Sequence, residues 1–322
     1  MPHYLLIGAG FSRNWGGWLA TEVFEYLLGT HEVQTDQYIR ELLWRNRETG
    51  GFEAALDELQ SSNDETSRKQ LAALNRAIAR MFSDMNSSFE AIEFNPSNDS
   101  KYSIIGFLSR FDAVFSLNQD LLLEMKYFAS DNIKHTGHGK WDAAQFPGML
   151  PQPMSHHDKL WVPANESQFQ VENNLQPIFK LHGSSNWRTS DDSSLMVIGG
   201  SKAREIKRTA ILKWYSECFS ARIQEPDARL MAIGYGFRDA HINRQIEIAS
   251  ERGLKLFVIA PEGAALASTN NNSRAPGRLG GTQTLLEEVF ERCLIGASRR
   301  PLLDIFGKDQ VEHKKVLSFF NQ

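Results

Sequence analysis

The chain has 322 residues, 41% hydrophobic and 23% charged, with a formal net charge of -4. This length and apolar content fit one large globular unit, or a domain carrying an insertion, and exclude a disordered chain. The slight acidity argues against a dedicated nucleic-acid binder, so no direct nucleic-acid partner is expected.

The first apolar run, "YLLIG" (4–8), climbs into the glycine-rich turn "GAGFS" (8–12) and then a helix-like segment over 19–28. Such a turn either lets a pyrophosphate approach the backbone at a helix start or simply closes a tight βα corner. Two of the three fingerprint glycines are present, and Arg13 takes the third position. From about 36 to 110 the pattern turns helical. Leu71, Leu74, Ile78, Met81 and Phe82 share one face of a long helix, which Thr66 or Ser67 would cap. This reads as a helical module inserted after the first βα unit.

Four more runs are strand-like: "AVFSL" (113–117), "PIFKLH" (177–182), "RLMAIGY" (229–235) and "LKLFVIA" (254–260). Short unbroken apolar runs suit parallel strands covered on both faces. Helix-like segments follow at 121–128 and 240–251. The fold class expected is α/β, a Rossmann-like doubly wound parallel sheet with an inserted helical module. The core would take 1–35 and 101–265, the insertion 36–100, and a helical tail 266–322. The segment 130–176 reads as a long surface excursion, and 267–281 as a polar loop.

Two cysteines, Cys218 and Cys293, are too few for a disulfide framework and fit a reducing, cytoplasmic setting. No apolar run nears the roughly 20 residues of a membrane helix. The N-terminus lacks the order of a signal peptide. No membrane association is expected. His135, His138, His156 and His157 crowd one loop without a standard zinc spacing, so no metal is expected. Lys202, Arg204, Lys207, Arg208 and Lys213 read as a solvated helix face.

Chemistry-bearing residues gather at the strand ends. Asn118 and Asp120 follow the second run in "SLNQD", where helix capping is the plain alternative. His182 precedes Gly183 after the third. Gly234, Tyr235 and Gly236 open "GYGFRDAHIN" after the fourth. Open α/β sheets bind ligands outside these carboxyl ends.

Taken in order, these segments resemble the sirtuin family. They resemble more closely the sirtuin-like NADase effectors of bacterial antiphage systems, in which a "GYSFxDxHIN"-like segment recurs. The four-cysteine zinc module of deacylating sirtuins is missing, since only Cys218 lies between His182 and Gly234. Their Gly-Ile-Pro-Asp-Phe-Arg-Ser stretch is missing as well. Both absences shift the expectation from deacylation to NAD hydrolysis.

The resemblance implies NAD as substrate, cleaved to ADP-ribose and nicotinamide, with linear and cyclised products both open. Asn118 would position the attacking water or the ribose hydroxyls, and His182 would serve as general base. Gly8, Ala9, Gly10, Phe11 and Ser12 would cradle the pyrophosphate. Gly234, Tyr235 and Gly236 would close on the phosphate or adenosine side. Asp120 would hold the nicotinamide amide or cap the helix. Kinship further implies a gated antiphage effector that forms a homo-oligomer and works with a protein such as a HerA-like ATPase or an Argonaute-type protein. An NAD-dependent deacylase and a non-catalytic nucleotide sensor or scaffold are the alternatives.

Overall fold

In the computed structural model the five apolar runs become the strands of one sheet. The structure describes all residues except 49, 63, 129–132, 137–139, 153–159, 200–201, 270–284, 308 and 322. The strands β1 (His3–Ile7), β2 (Ala113–Ser116), β6 (Leu175–Lys180), β9 (Arg229–Ile233) and β10 (Lys255–Ile259) lie in a seven-stranded sheet. Among the described residues its strands all pair in parallel. Nearly every residue of these strands is buried, so both faces are covered, as unbroken apolar runs require.

The order is β11 (Leu294–Ser298), β10, β9, β1, β2, β6 and β3 (Ala143–Gln145). The chain runs outward from β1 through β2 to β6, then returns to β9 on the other side of β1. That reversal is the doubly wound topology expected, and its switch point lies between β1 and β9.

Two strands of this sheet escaped the sequence reading. One is β3 (Ala143–Gln145), three residues within the supposed surface excursion. The other is β11 (Leu294–Ser298), inside the tail read as helical. Its sequence, LIGAS, is short and ends on small residues, and pairing with β10 decides its state. The tail is helical elsewhere, at α12 (Leu285–Cys293), α13 (Leu302–Ile305) and α14 (Gln310–Leu317). The Leu302 N–H donates to Asn14 Oδ1 at 2.8 Å, tying the tail to the glycine turn. The rest of the excursion contributes to a four-stranded sheet of β4 (Met149–Gln152), β5 (Leu160–Pro163), β7 (Gly183–Arg188) and β8 (Ser194–Met196). The loop read at 267–281 lies mostly outside the described residues, as do His138, His156 and His157 of the histidine-rich loop.

The segment 36–100 is largely helical, with α4 (Gln37–Asn46), α5 (Gly51–Ser61) and α6 (Glu65–Ser88), and α3 (His31–Thr35) precedes it. On α6 the residues Leu74, Ile78, Met81 and Phe82 are buried, with Leu71 partly so. Its cap is Asp64, not Thr66 or Ser67. The Ser67 N–H and hydroxyl both donate to the Asp64 carboxylate, at 2.8 and 2.7 Å. A cap must accept from the first free N–H groups, and Ser67, three positions on, donates one of them. Among the described residues no helix is long and apolar enough to cross a membrane.

Candidate active site

The glycine turn runs from β1 into α1 (Ala9–Arg13). Its glycines serve first to let two turns interlock. A Cβ on Gly8 would sit 2.7 Å from the Gly234 carbonyl oxygen, and one on Gly10 2.7 Å from the Gly234 Cα. Gly234 has φ +61°, and a Cβ there would lie 2.2 Å from the Phe11 nitrogen. The Gly10 N–H donates to the Gly234 carbonyl at 3.0 Å, and Phe11 N–H to Gly8 at 2.8 Å. The Gly8 N–H donates to the Ile233 carbonyl at 3.0 Å, so three of the amides predicted to cradle phosphate are committed inside the protein. The Phe11 side chain is fully buried and packs on Trp15. Tyr235 is also buried, donating its hydroxyl to Asn243 Oδ1 at 2.8 Å. Neither side chain reaches out to a ligand; both shape the turn.

Ser12 is different. Its Oγ accepts from Asn118 Nδ2 at 3.0 Å and hydrogen-bonds the Asp120 carboxylate. One hydroxyl from the β1 turn thus fixes both predicted polar residues of the β2 turn. Ser116 Oγ holds the Asn118 N–H at 3.1 Å. The Asp120 carboxylate accepts from the Leu122 N–H at 3.1 Å, which is the capping role. Burial pushes its carboxyl up, opposed by Lys180 and Ser12.

His182 arrives from the neighbouring strand. Ser116 pairs with Lys180 across β2 and β6, so Asn118 and His182 each stand two residues beyond a paired position. The Leu181 N–H donates to the Ser116 carbonyl at 2.8 Å, and the Leu117 backbone hydrogen-bonds the His182 ring. Gly183 then turns the chain into β7 at φ +73°, where a Cβ would fall 2.0 Å from the Leu195 carbonyl. Asn118 and His182 therefore stand just past the ends of adjacent strands, both buried. Burial pushes the His182 imidazole down to about 3, with Asp239 pulling the other way. The ring is neutral at ordinary pH and keeps a lone pair.

That ring has a partner the sequence reading gave no role. His182 Nε2 lies 3.2 Å from His241 Nε2. Asp239 holds the N-cap position of α10 (Ala240–Glu251) without a side-chain cap bond, and His241 sits in the first turn. One ligand atom from each of His182, Asp239 and His241 lies within 4.8 Å of the others. Lys202, read as part of a solvated face, is mostly buried here. It pairs with Asp239 at 3.2 Å and with Glu53 of α5 at 2.7 Å. Burial works against the Asp239 charge, but His182, Lys202 and His241 outweigh it and hold the carboxyl below its usual range. The signal for Asp239 and His241 was in the segment "RDAHIN" itself, two ligand-type side chains at one strand end. Nothing local marked Lys202, because its partners come from distant elements.

A second polar cluster lies beside the first. Lys180 is buried in β6 and donates to the Asp120 carbonyl at 2.7 Å, Glu124 Oε1 at 2.5 Å and Ser184 Oγ at 2.7 Å. The helical module closes on the same floor, where Asn86 of α6 accepts from the Leu121 N–H at 2.9 Å and donates to Ser185 Oγ at 3.1 Å. A separate cavity of about 540 Å³ opens past β10 and β11, lined by Gly263, Arg299, Arg300, Glu312 and Lys315 among others. It includes none of the predicted site residues.

Residues 112–277, more than half of the chain, match the SIR2-like domain family. The chain belongs to that family. This membership places it in a superfamily of NAD-dependent enzymes. Among solved structures it is similar to a Sir2 homologue in complex with NAD, at 12% identity and a TM-score of 0.39, covering 98% of this chain and 90% of that one. It is also similar to a Sir2 bound to an inhibitor, 2'-O-acetyl-ADP-ribose and a deacetylated peptide, at 11% identity and a TM-score of 0.36, covering 98% and 95%. At these scores neither likeness carries an argument about the site. No curated protein matches the chain.

Proposed function

We propose that this SIR2-like protein hydrolyses NAD to ADP-ribose and nicotinamide. The observation that carries the reading is the position of Asn118 and His182 at adjacent strand ends, with Ser12 of the glycine turn bonded to Asn118. Both groups, an amide that donates and accepts and a neutral imidazole, follow the carboxyl ends of adjacent strands in a doubly wound sheet, where such sheets bind ligands.

The bond from ribose C1' to the cationic pyridinium nitrogen breaks, and its electron pair neutralises the ring. Nicotinamide therefore leaves without needing a proton. The ribose becomes oxocarbenium-like, a water oxygen bonds to C1', and His182 takes the water's proton. The Asn118 amide orients the water or the ribose hydroxyls. Positioning and proton transfer are the two contributions this chain's residues make. Ser12 and the remaining amides of the β1 turn would face the pyrophosphate, and Gly234, Tyr235 and Gly236 would close on the phosphate or adenosine side. The missing four-cysteine module supports hydrolysis over deacylation, since an acyl-peptide would lose part of its usual groove. An NAD-depleting antiphage effector, gated by self-association or a protein partner, is the biological setting this reading favours.

The test is nicotinamide release from NAD by the purified chain, alone and with the product of the neighbouring gene. Release without any acyl-peptide, lost in Asn118→Ala and His182→Ala, supports the reading. NAD consumption that requires an acyl-peptide would make the protein a deacylase. Tight NAD binding without turnover under either condition would make it a sensor.

A further inference from the structure

We propose that His182, Asp239 and His241 form a binding site for a divalent transition ion of the zinc type, whose occupation withholds His182 from NAD cleavage. The second half of this inference rests on the NAD-hydrolase reading; the first does not.

The geometry is that of a three-ligand site. Tetrahedral zinc with nitrogen ligands at about 2.0–2.1 Å sets those nitrogens roughly 3.3 Å apart. The two Nε2 atoms are 3.2 Å apart, and the carboxylate completes a set within 4.8 Å. The three residues come from two rigid corners. Gly183 fixes the turn that follows His182, and the interlocked Gly10–Gly234 backbone fixes the corner before α10. Two imidazoles and one carboxylate are a donor set that zinc, cobalt and nickel accept, while magnesium and calcium favour oxygen.

An outer shell is in place. Asp239 Oδ1 receives Lys202, which Glu53 of the helical module holds in turn. This leaves the other carboxylate oxygen for a metal and orients it, as outer-shell partners of metal ligands do. The backbone at Leu117 hydrogen-bonds the His182 ring, whose Nε2 is the atom facing His241. A metal on that Nε2 would occupy the lone pair that NAD cleavage requires. No covalent bond in the substrate is made or broken by this step. The ion replaces the His182–His241 hydrogen bond and displaces any proton held there. The competing account is that same hydrogen bond with no metal affinity.

The experiment titrates the full chain, stripped with chelator, with Co²⁺ and follows the visible absorption bands of a tetrahedral site. One equivalent is expected to bind, and Zn²⁺ should displace it. Removing a ligand in His241→Ala should weaken Co²⁺ binding by at least the ~100-fold that outer-shell losses reach. Asp239→Asn should weaken it too. His241→Gln serves if the alanine variant fails to fold by circular dichroism. A thiolate charge-transfer band, lost in Cys218→Ser, would move the metal elsewhere and overturn the assignment. So would no binding, or binding indifferent to His241 and Asp239. In parallel, Zn²⁺ should suppress nicotinamide release and chelator should restore it. Unchanged release at saturating Zn²⁺ would overturn the silencing role. If NAD is never cleaved but Co²⁺ binds in a His241-dependent way, the metal site stands and the NAD-hydrolase reading falls.

Discussion

Two buried polar clusters stand two residues apart on one strand end, and they do opposite things with their charge. Around Lys180, the ammonium is saturated by a backbone carbonyl, a carboxylate and a hydroxyl, all inside the protein. Around His182, the imidazole meets another imidazole, a nearby carboxylate and the Leu117 backbone, and that carboxylate is shared with Lys202. The Lys180 ammonium has no hydrogen left for a ligand, and of its partners only Glu124 keeps a buried oxygen, Oε2, without a hydrogen bond. The second has a lone pair, an acceptor oxygen and a second histidine that is only partly buried. Burial of charged side chains therefore does not by itself mark a site; what marks one is bonding capacity that the fold leaves unspent.

The largest effect expected separates the clusters by activity. His182→Ala should cut nicotinamide release by ~100- to 10,000-fold, the range of a lost acid–base group, with the melting temperature nearly unchanged. Asn118→Ala should do the same. A measured loss of fold in either variant would mean that the second cluster is structural like the first.

Lys180→Met should act the other way. Leaving Glu124 buried and unpaired should cost about 3–5 kcal/mol of stability in denaturant unfolding. Burial already pushes the Glu124 carboxyl up against the pull of Lys180. A Lys180→Met protein that is stable but inactive would move Lys180 into the reacting group.

Gly234→Ala comes next. The new Cβ meets the Phe11 nitrogen at 2.2 Å in a left-handed conformation, and strain of this kind costs about 1–3 kcal/mol. Because that corner also carries Asp239 and His241, Co²⁺ binding should weaken along with stability. Gly236→Ala is the control, with nothing nearer than 4.0 Å to its added carbon, and should change stability by no more than about 0.5 kcal/mol.

The smallest effect concerns a second buried histidine. His313 of α14 packs on Tyr102 and Phe306. Burial holds its imidazole below the ordinary value, with Lys101 adding to the shift. The unfolded chain therefore takes up the proton first as pH falls below about 6.5, so this contribution to stability is present above that pH and lost below it. His313→Gln should make the decline of melting temperature between neutral and mildly acid pH shallower. An unchanged slope would mean the other histidines carry all of it.

Much of the sheet was legible because its central strands are unbroken apolar runs, and such runs have few other fates in a chain of this size. "KLFVI" and "RLMAI" needed no context. By contrast β3 and β11 are short and weakly patterned, and become strands because a neighbouring edge supplies their hydrogen bonds. Asn118 and His182 stood out as polar residues at the ends of apolar runs. Lys202 did not, since it lies among basic residues on one helix and its meaning comes from Glu53 and Asp239, far away in the chain.

By itself the sequence determined the parallel sheet, the helical insertion and which strand ends carry polar side chains, because periodicity and turn residues are local properties. Only the tertiary structure decided that Gly8, Gly10 and Gly234 interlock before they offer anything to a phosphate. It also decided that Ser12 holds Asn118 and Asp120 together, and that His182 faces His241. Those outcomes depend on which strand ends become neighbours, and that is settled by packing the whole sheet rather than by any one segment of it.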